Sequence, residues 1–264
     1  MTPGKTVLRF VKASACGNDF LIADGTAHLA ELKDLTVRMC DRHNGIGADG
    51  VEWIFPDPEC DAEARLINSD GSFAEVSGNG TRCVAAELCA QRNKLTVTIR
   101  TGAGVKTCRL IDRKGESFEF EAEMGQAQVE APISIETMWV RAVGRKVSVG
   151  NPHFAIFVDG FPENWQKQAA LIQTQPHFPE GTNVEYVVVR GPQELEIRLF
   201  ERGAGETQSS GTGSCASAVA AIAAGKVISP VRVVAPGGAQ TVRWENQVYL
   251  QGPATLICHG EFFV

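Results

Sequence analysis

The sequence predicts an α+β protein made of two pseudo-symmetric halves, in each of which strands wrap around one central helix. Three observations lead to this prediction. Short segments rich in Val, Ile, Thr and Phe outnumber segments with a helical pattern. The two most informative helical segments are rich in Ala and other small residues, which lets surrounding strands approach them closely. Both of these segments begin with Ser-Gly-x-Gly, so one half repeats the pattern of the other.

Ten segments have the composition of short strands and end near Gly, Pro or Asp. From the N-terminus they cover residues 6–11, 20–23, 96–101, 105–111, 118–122, 154–158, 184–189, 195–200, 231–235 and 241–244. Short helices are predicted among them at 34–41 and at 163–174, the second with Pro162 near its start. The strand-rich pattern therefore extends over most of the chain.

The two remaining helices, predicted at 79–92 and 212–224, carry the internal repeat. Ser77 and Ser210 open the two motifs and are 133 residues apart, about half of the 264-residue chain. Each motif follows an acidic segment, at 70–75 and at 201–206. Each helix then contains one cysteine among alanines, Cys83 or Cys215, and we expect both thiols to be buried. Two related halves explain these similarities.

Composition excludes several classes of protein. Twenty-five Lys and Arg against 31 Asp and Glu give a net charge of −6, without the basic patch of a nucleic-acid-binding protein. No apolar run approaches the roughly 18 residues of a membrane helix, and the start lacks the apolar core of a signal peptide. The eight cysteines include no Cys-x-x-Cys pair, so we expect no zinc site. A cytoplasmic protein with reduced thiols is therefore expected.

A glycine-rich turn that leads into a helix suits the binding of an anion. The first amides of a helix have no intrahelical acceptor, and the helix dipole favours negative charge there. Alternatively, Ser-Gly-x-Gly only caps each helix, since Ser is a good N-cap. A dinucleotide-binding interpretation of residues 211–216 is disfavoured, because the region about 20 residues later, 230–236, contains no acidic residue.

Several polar clusters precede or follow predicted strands, at 15–20, 41–50, 68–71, 150–153, 181–183 and 201–207. They supply amides together with His153, Glu201 and Arg202, and they offer few apolar contacts. Each asparagine alone is typical of a turn, and a lone histidine is more often structural than catalytic. As a set, these residues suit a zwitterionic amino acid as the ligand.

With these motifs the sequence resembles the diaminopimelate epimerase family. The matching segments occur in the family's order, and they are Gly17-Asn-Asp-Phe20, Cys40-Asp-Arg-His43 with Gly47-Ala-Asp49, Asn68-Ser-Asp-Gly-Ser72, Ser77-Gly-Asn-Gly-Thr-Arg-Cys83, Gly150-Asn-Pro-His153, Asn183-Val-Glu185, Glu201-Arg-Gly-Ala-Gly-Glu-Thr207 and Ser210-Gly-Thr-Gly213. The length of the chain also fits. Gly50 departs from a polar residue that is common at its position, which puts that ligand contact in doubt.

The resemblance implies a cofactor-free, metal-free epimerase or racemase, as a homodimer, that acts on a diaminopimelate stereoisomer in lysine and peptidoglycan-precursor synthesis. It implies halves at 1–122 and 123–255, with a last strand at 256–264 packing back on the first half, and an active site between the two. The implied ligand contacts are the side chains of Asn18, Asn68, Asn79, Asn151, Asn183, Glu201 and Arg202 and the backbone N–H groups near Gly78, Asn79, Gly211 and Thr212. His153 and Glu201 would tune the catalytic pair.

The sequence departs from the family at the catalytic pair itself. The family uses one cysteine to remove the α-proton and another to return a proton on the opposite face, and here those positions hold Ser77 and Ser210. A serine hydroxyl ionises far above a thiol and needs a dedicated activator before it can act as a base. Three hypotheses remain: an impaired epimerase that retains its ligand, a diverged isomerase or dehydratase for another polar amino acid, and a non-catalytic amino-acid-binding protein.

Overall fold

The computed structural model describes residues 7–264, and the chain divides into two compact units. The first unit contains the described part of Met1–Ala122 together with Gly252–Val264, and the second contains Glu123–Gln251. Thr6, the start of the first predicted strand, lies outside the described residues. Among the residues described, none of the helices is both long and apolar enough to cross a membrane.

The helices and strands follow one another in a regular order. The first unit contains β1 (Val7–Ala15), β2 (Asn18–Asp24), α1 (Leu32–Cys40), β3 (Gly50–Phe55), β4 (Ala62–Asn68), β5 (Phe73–Ala74), α2 (Gly78–Arg92), β6 (Thr96–Thr101) and β7 (Gly104–Lys114). Strand β8 (Ser117–Gly125) begins in the first unit and ends in the second. The second contains β9 (Gln128–Glu136), β10 (Arg141–Ser148), β11 (Pro152–Phe157), α3 (Trp165–Gln173), β12 (Asn183–Gly191), β13 (Glu194–Glu201), β14 (Gly205–Thr207), α4 (Gly211–Ala223), β15 (Val231–Ala235) and β16 (Gly238–Trp244). The last strand, β17 (Val248–Phe263), begins in the second unit and ends in the first.

In the first unit, the strands surround helix α2. Strand β1 pairs antiparallel with β2 and with the end of β17, β2 runs parallel to β3, and β4 runs parallel to β6. Helix α2 contributes Cys83, Val84, Ala85 and Ala86, all with no exposed surface, to a core formed with these strands. Helix α1 packs separately, in a cluster that includes Trp53 of β3.

In the second unit, the strands surround helix α4 in the same way. Strand β11 pairs antiparallel with β10 and parallel with β12, and β13 runs parallel to β15. Helix α4 buries Cys215 and four alanines against Val and Leu residues of the strands. Helix α3 packs in a separate cluster with Phe154 and Tyr186. Small side chains on α2 and α4 allow this enclosure, because strands can approach such a helix on every side.

The two units share one order of elements. Counted from β1 in the first unit and from β10 in the second, two strands, a helix, three strands and a second helix are followed by a strand that runs parallel to the fourth strand of the series. The prediction of an α+β fold with one central helix in each half is confirmed. The four predicted helices form within two residues of the expected bounds, and Cys83 and Cys215 are buried as expected.

Candidate active site

The N-terminus of α2 is capped by Ser77. Ser77 has extended backbone angles (φ −121°, ψ 123°), and its Oγ accepts a hydrogen bond from the Gly80 amide at 3.1 Å. The Thr81 amide donates to the Ser77 carbonyl at 2.8 Å. The serine therefore satisfies one amide of the first helical turn, while the earlier amides of that turn have no acceptor within the helix.

The N-terminus of α4 repeats this arrangement with Ser210. Its backbone is also extended (φ −144°, ψ 127°), and its Oγ accepts from the Gly213 amide at 3.2 Å. The Ser214 amide donates to the Ser210 carbonyl at 2.9 Å. Both serines thus act as helix caps, as one of the two interpretations of the sequence expected. Capping leaves the first amides of each helix, at Gly78, Gly211 and Thr212, at the helix end where an anion can bind.

The predicted asparagines of the first unit lie beside the α2 N-terminus. Asn79 Nδ2 donates to Asn18 Oδ1 at 2.8 Å, and Asn18 Nδ2 donates to Asp49 Oδ2 at 2.9 Å. Asn68 pairs with Gly50 across β4 and β3 and donates to the hydroxyl of Ser72 at 3.0 Å. The structure therefore brings Asn18 and Asn79 into direct contact. The side chain of Asn68 is instead bonded within its own turn, to Ser72.

Arg82 fixes the first turn of α2 from within. Its side chain is only 1% exposed and donates to the carbonyls of Gly78 (3.2 Å) and Pro253 (3.2 Å) and to Asn79 Oδ1 (2.5 Å). A buried guanidinium adds positive charge next to a helix end that already favours anions. Arg82 lies within the Ser77–Cys83 motif, and the sequence alone predicts no role for it.

In the second unit, hydrogen-bonding contacts link six side chains from Glu185 to Glu201. His153 Nδ1 lies 2.6 Å from Glu185 Oε1, and His153 Nε2 lies 2.9 Å from Asn151 Oδ1. Asn151 Nδ2 donates to Thr212 Oγ1 at 3.3 Å, which in turn lies 3.5 Å from Ser210 Oγ. The chain of contacts reaches the cap of α4 from the buried histidine.

Ser210 differs from Ser77 because its hydroxyl also has a carboxylate acceptor. Ser210 Oγ donates to Glu201 Oε2 at 3.1 Å, while Thr207 Oγ1 donates to Glu201 Oε1 at 2.7 Å. Glu201 ends β13 and Thr207 ends β14, and these strands pair antiparallel. The hairpin therefore places the carboxylate against the N-terminus of α4.

Asn183 and Arg202 are joined through the backbone. Asn183 Nδ2 donates to the Pro152 carbonyl at 3.0 Å, and its Oδ1 accepts from the Arg202 amide at 2.9 Å. The Arg202 guanidinium is exposed and donates to the Glu180 carbonyl at 2.8 Å. Asn183 thus positions the loop that follows Glu201, and the guanidinium retains donors that could meet a ligand carboxylate.

Two buried carboxyl groups lie outside the set of site residues that the sequence predicts. Glu185 and Glu52 are 1% and 3% exposed, and burial raises the pKa of both, that of Glu52 to about 8. In Glu185, the neighbouring His153 opposes this rise in pKa. A single acidic residue inside an apolar segment, as in Val-Glu-Trp-Ile-Phe, is the signal that could have identified Glu52.

Comparison with known proteins decides the family. The family model described as diaminopimelate epimerase matches residues 10–130 and 145–257. The chain belongs to the diaminopimelate epimerase family. A relative of that name from Pelotomaculum thermopropionicum is 37% identical over 279 residues, which cover 97% of this chain and 99% of the relative. A second, from Carboxydothermus hydrogenoformans, is 36% identical and covers 97% of this chain and 100% of its own length.

Solved structures share the fold at low identity. A hydroxyproline epimerase from Agrobacterium vitis, with bound trans-4-hydroxy-L-proline, gives a TM-score of 0.69 at 16% identity and covers 98% of this chain and 91% of its own. A PhzF-family phenazine biosynthesis protein from Bacillus anthracis gives a TM-score of 0.71 at 14% identity, with coverage of 98% and 100%. The expectation of an isomerase of the epimerase family is confirmed by the family match and the named relatives.

Proposed function

We propose that this chain is a cytoplasmic, cofactor-independent homodimer that binds LL- and meso-diaminopimelate, and that serines at its two proton-transfer positions impair epimerisation. Membership of the family and relatives named diaminopimelate epimerase support the substrate. The motifs that resemble the family support the assignment of Ser77 and Ser210 to the positions of the family's cysteines. The substrate is thus a small amino acid with two head groups.

Binding of the ligand follows from the two helix ends. The first amides of α2 and α4, at Gly78, Gly211 and Thr212, would hold the α-carboxylate, since both ends carry N–H groups and a favourable dipole. The side chains of Asn18, Asn79, Asn68, Asn151 and Asn183 would hold the remaining polar groups. Arg202 donates one hydrogen bond to the Glu180 carbonyl, and its other N–H groups would pair with the distal carboxylate.

The hydrogen bonds of the two serine hydroxyls are the observation that supports impaired epimerisation. Epimerisation needs one group to remove the α-proton on one face and another to return a proton on the opposite face. Each serine hydroxyl accepts from a helix amide, and the Ser210 hydroxyl also donates to Glu201. Within residues 7–264, neither hydroxyl is hydrogen-bonded to a histidine, which is the activator that makes a serine a useful base.

Exchange of the α-proton into deuterated water tests the proposal. Wild-type protein should bind both stereoisomers and exchange slowly, whereas S77C/S210C should exchange at least about 100-fold faster, a typical gain from general acid–base catalysis. The single variants S77C and S210C serve as matched controls, because each restores only one of the two groups. Rapid exchange by the wild type would refute the impairment. A double variant that neither binds nor exchanges diaminopimelate would refute the substrate.

A further inference from the structure

Glu52 is a carboxyl buried in the interior of the first unit. It lies in β3 between Val51 and Trp53, is 3% exposed, and pairs across the sheet with Ile22 and Leu66. In the described part of the chain, no hydrogen bond or ion pair to the Glu52 carboxyl is found, and burial alone accounts for its pKa of about 8. A buried acid without a partner is costly to fold, so a functional explanation is warranted.

The carboxyl of Glu52 points at the capped end of α2. A Cβ atom placed on Gly80 would lie 2.1 Å from Glu52 Oε1 and 3.3 Å from Ser77 Cβ. The second unit contains the same arrangement, since a Cβ atom on Gly213 would lie 3.2 Å from Glu185 Oε1 and 3.1 Å from Ser210 Cβ. Each serine-capped helix end therefore has a buried glutamate against its third residue, and glycine at that residue provides the space.

The two glutamates differ in their neighbours. In β11, His153 pairs with Asn183, two residues before Glu185, and its ring contacts that carboxyl. In β2, the residue at the equivalent register is Phe20, which pairs with Gly50, two residues before Glu52. A phenyl ring can neither donate a proton to the carboxyl nor supply a positive charge, so Glu52 retains its own proton near neutral pH.

Other titratable and charged groups in this part of the first unit lie on α2, β1 and β2 and in the loop between α1 and β3. On α2, Cys83 faces it, and burial raises the pKa of that thiol far above its ordinary range. Arg82 on the same helix is engaged with carbonyl and amide oxygens. On β2, Asp19 is paired with Arg42 and Lys12, while the direct strand neighbours of Glu52, Ile22 and Leu66, are apolar. Glu52 is therefore the group whose charge can change at this helix end between pH 6 and 9.

We infer that Glu52 is a positioning residue whose protonation sets the charge at the N-terminus of α2. Protonated Glu52 is neutral and lets the ligand's carboxylate bind there, whereas ionised Glu52 repels that carboxylate. This inference rests on the proposed function, since it takes diaminopimelate as the ligand. A second negative charge at a helix end competes with the ligand for the same amides and dipole. Affinity should therefore fall once Glu52 loses its proton.

Calorimetric titration with meso-diaminopimelate from pH 6 to pH 9.5 provides the test. The ratio of wild-type to E52Q dissociation constants should be flat below pH 7.5 and should rise by up to about tenfold per pH unit above pH 8. Taking the ratio cancels the titration of the ligand itself. E87Q is the matched control, because Glu87 is a buried acid on the same helix whose carboxyl is bonded to Gln91. A constant ratio for wild type and E52Q would overturn the inference.

Two further measurements separate this inference from the proposed function. At pH 7 the infrared absorption of protonated carboxyls should be weaker in E52Q than in the wild type and in E87Q, whether or not any ligand binds, because E52Q lacks the contribution of Glu52. If meso-diaminopimelate binds no variant, the proposed function fails, and inorganic sulfate replaces it as the anion in the same pH series. If E52Q does not fold, E52M removes the same titration with an apolar side chain. An ionised Glu52 at pH 7 would overturn the inference in every case.

Discussion

His153 Nδ1 and Glu185 Oε1 lie 2.6 Å apart in the interior of the second unit, where both side chains are at most 1% exposed. The pair exists because β11 and β12 run parallel with His153 opposite Asn183, which places Glu185 one step further along the same face. Among residues 7–264, Glu185 Oε2 has no hydrogen-bond partner, so the histidine is the main compensation for a buried carboxyl.

Removal of the His153 side chain alone should therefore lower the free energy of unfolding more than removal of both the histidine and the Glu185 carboxylate. H153A leaves the Glu185 carboxyl without its partner, and we expect a loss of about 3 kcal/mol in the free energy of unfolding at pH 7. H153A/E185Q should recover part of that loss, because the remaining amide carries no charge. Urea unfolding of the wild type, E185Q, H153A and the double variant forms a double-mutant cycle. Additive losses would contradict coupling between the two side chains.

Gly80 should tolerate no larger residue while Glu52 is present. A Cβ atom there would lie 2.1 Å from Glu52 Oε1, so G80A must displace the buried carboxyl, at a cost of roughly 1–3 kcal/mol. The matched control is G78A in the same turn, where the nearest atom, Arg82 Nη1, is 4.0 Å away. Thermal unfolding of G80A, G78A and G80A/E52A measures the effect. If G80A is as stable as G78A, or if E52A fails to relieve it, the contact does not limit this position.

The central helices and their caps could be predicted from the sequence because their signals are local. Ser-Gly-x-Gly and the alanine runs indicate where α2 and α4 begin and why they are enclosed, and the structure starts both helices one residue earlier. Several strands were missed for equally local reasons. Strand β3 contains Glu52, and the part of β17 that precedes the expected strand at 256–264 contains Gly252 and Pro253, residues that weaken a strand pattern.

The pairing of site residues could not be predicted, because it depends on register between distant strands. Asn183-Val-Glu185 was recognised as a motif, but nothing local shows that Glu185 meets His153, 32 residues away. Likewise, the hairpin of β13 and β14 is needed before Glu201 can reach Ser210. The roles of these residues toward a ligand stay predictions.

The two cap serines should differ in their contribution to stability. S77A removes one cap and should cost about 1 kcal/mol, whereas S210A removes a cap and a donor to Glu201 and should cost up to about 2 kcal/mol. S134A, at an exposed position of β9, is the control and should stay within about 0.5 kcal/mol of the wild type. Equal losses for S77A and S210A in urea unfolding would show that the Glu201 bond adds nothing.

The buried acid Glu52 should make stability depend on pH in a direction opposite to that of a salt-bridged carboxylate. Its pKa rises from 4.5 in the unfolded chain to about 8 in the folded protein. Below pH 4.5 both states hold the proton. Between these values only the folded state does, so stability falls as pH rises, by up to about 1.4 kcal/mol per unit, until the folded protein also loses the proton.

E52Q lacks this titration and isolates its effect. Relative to E52Q, the wild type should lose roughly 2 kcal/mol of unfolding free energy between pH 5.5 and pH 7.5, measured by urea unfolding at both values. The unfolding free energy of E87Q should change with pH as that of the wild type does, because E87Q retains Glu52. If the wild type and E52Q change in parallel, Glu52 is not protonated in the folded protein at pH 7. The expectation follows from the fold, since β3 places this carboxyl against the first turn of α2 and, among residues 7–264, it forms no ion pair there.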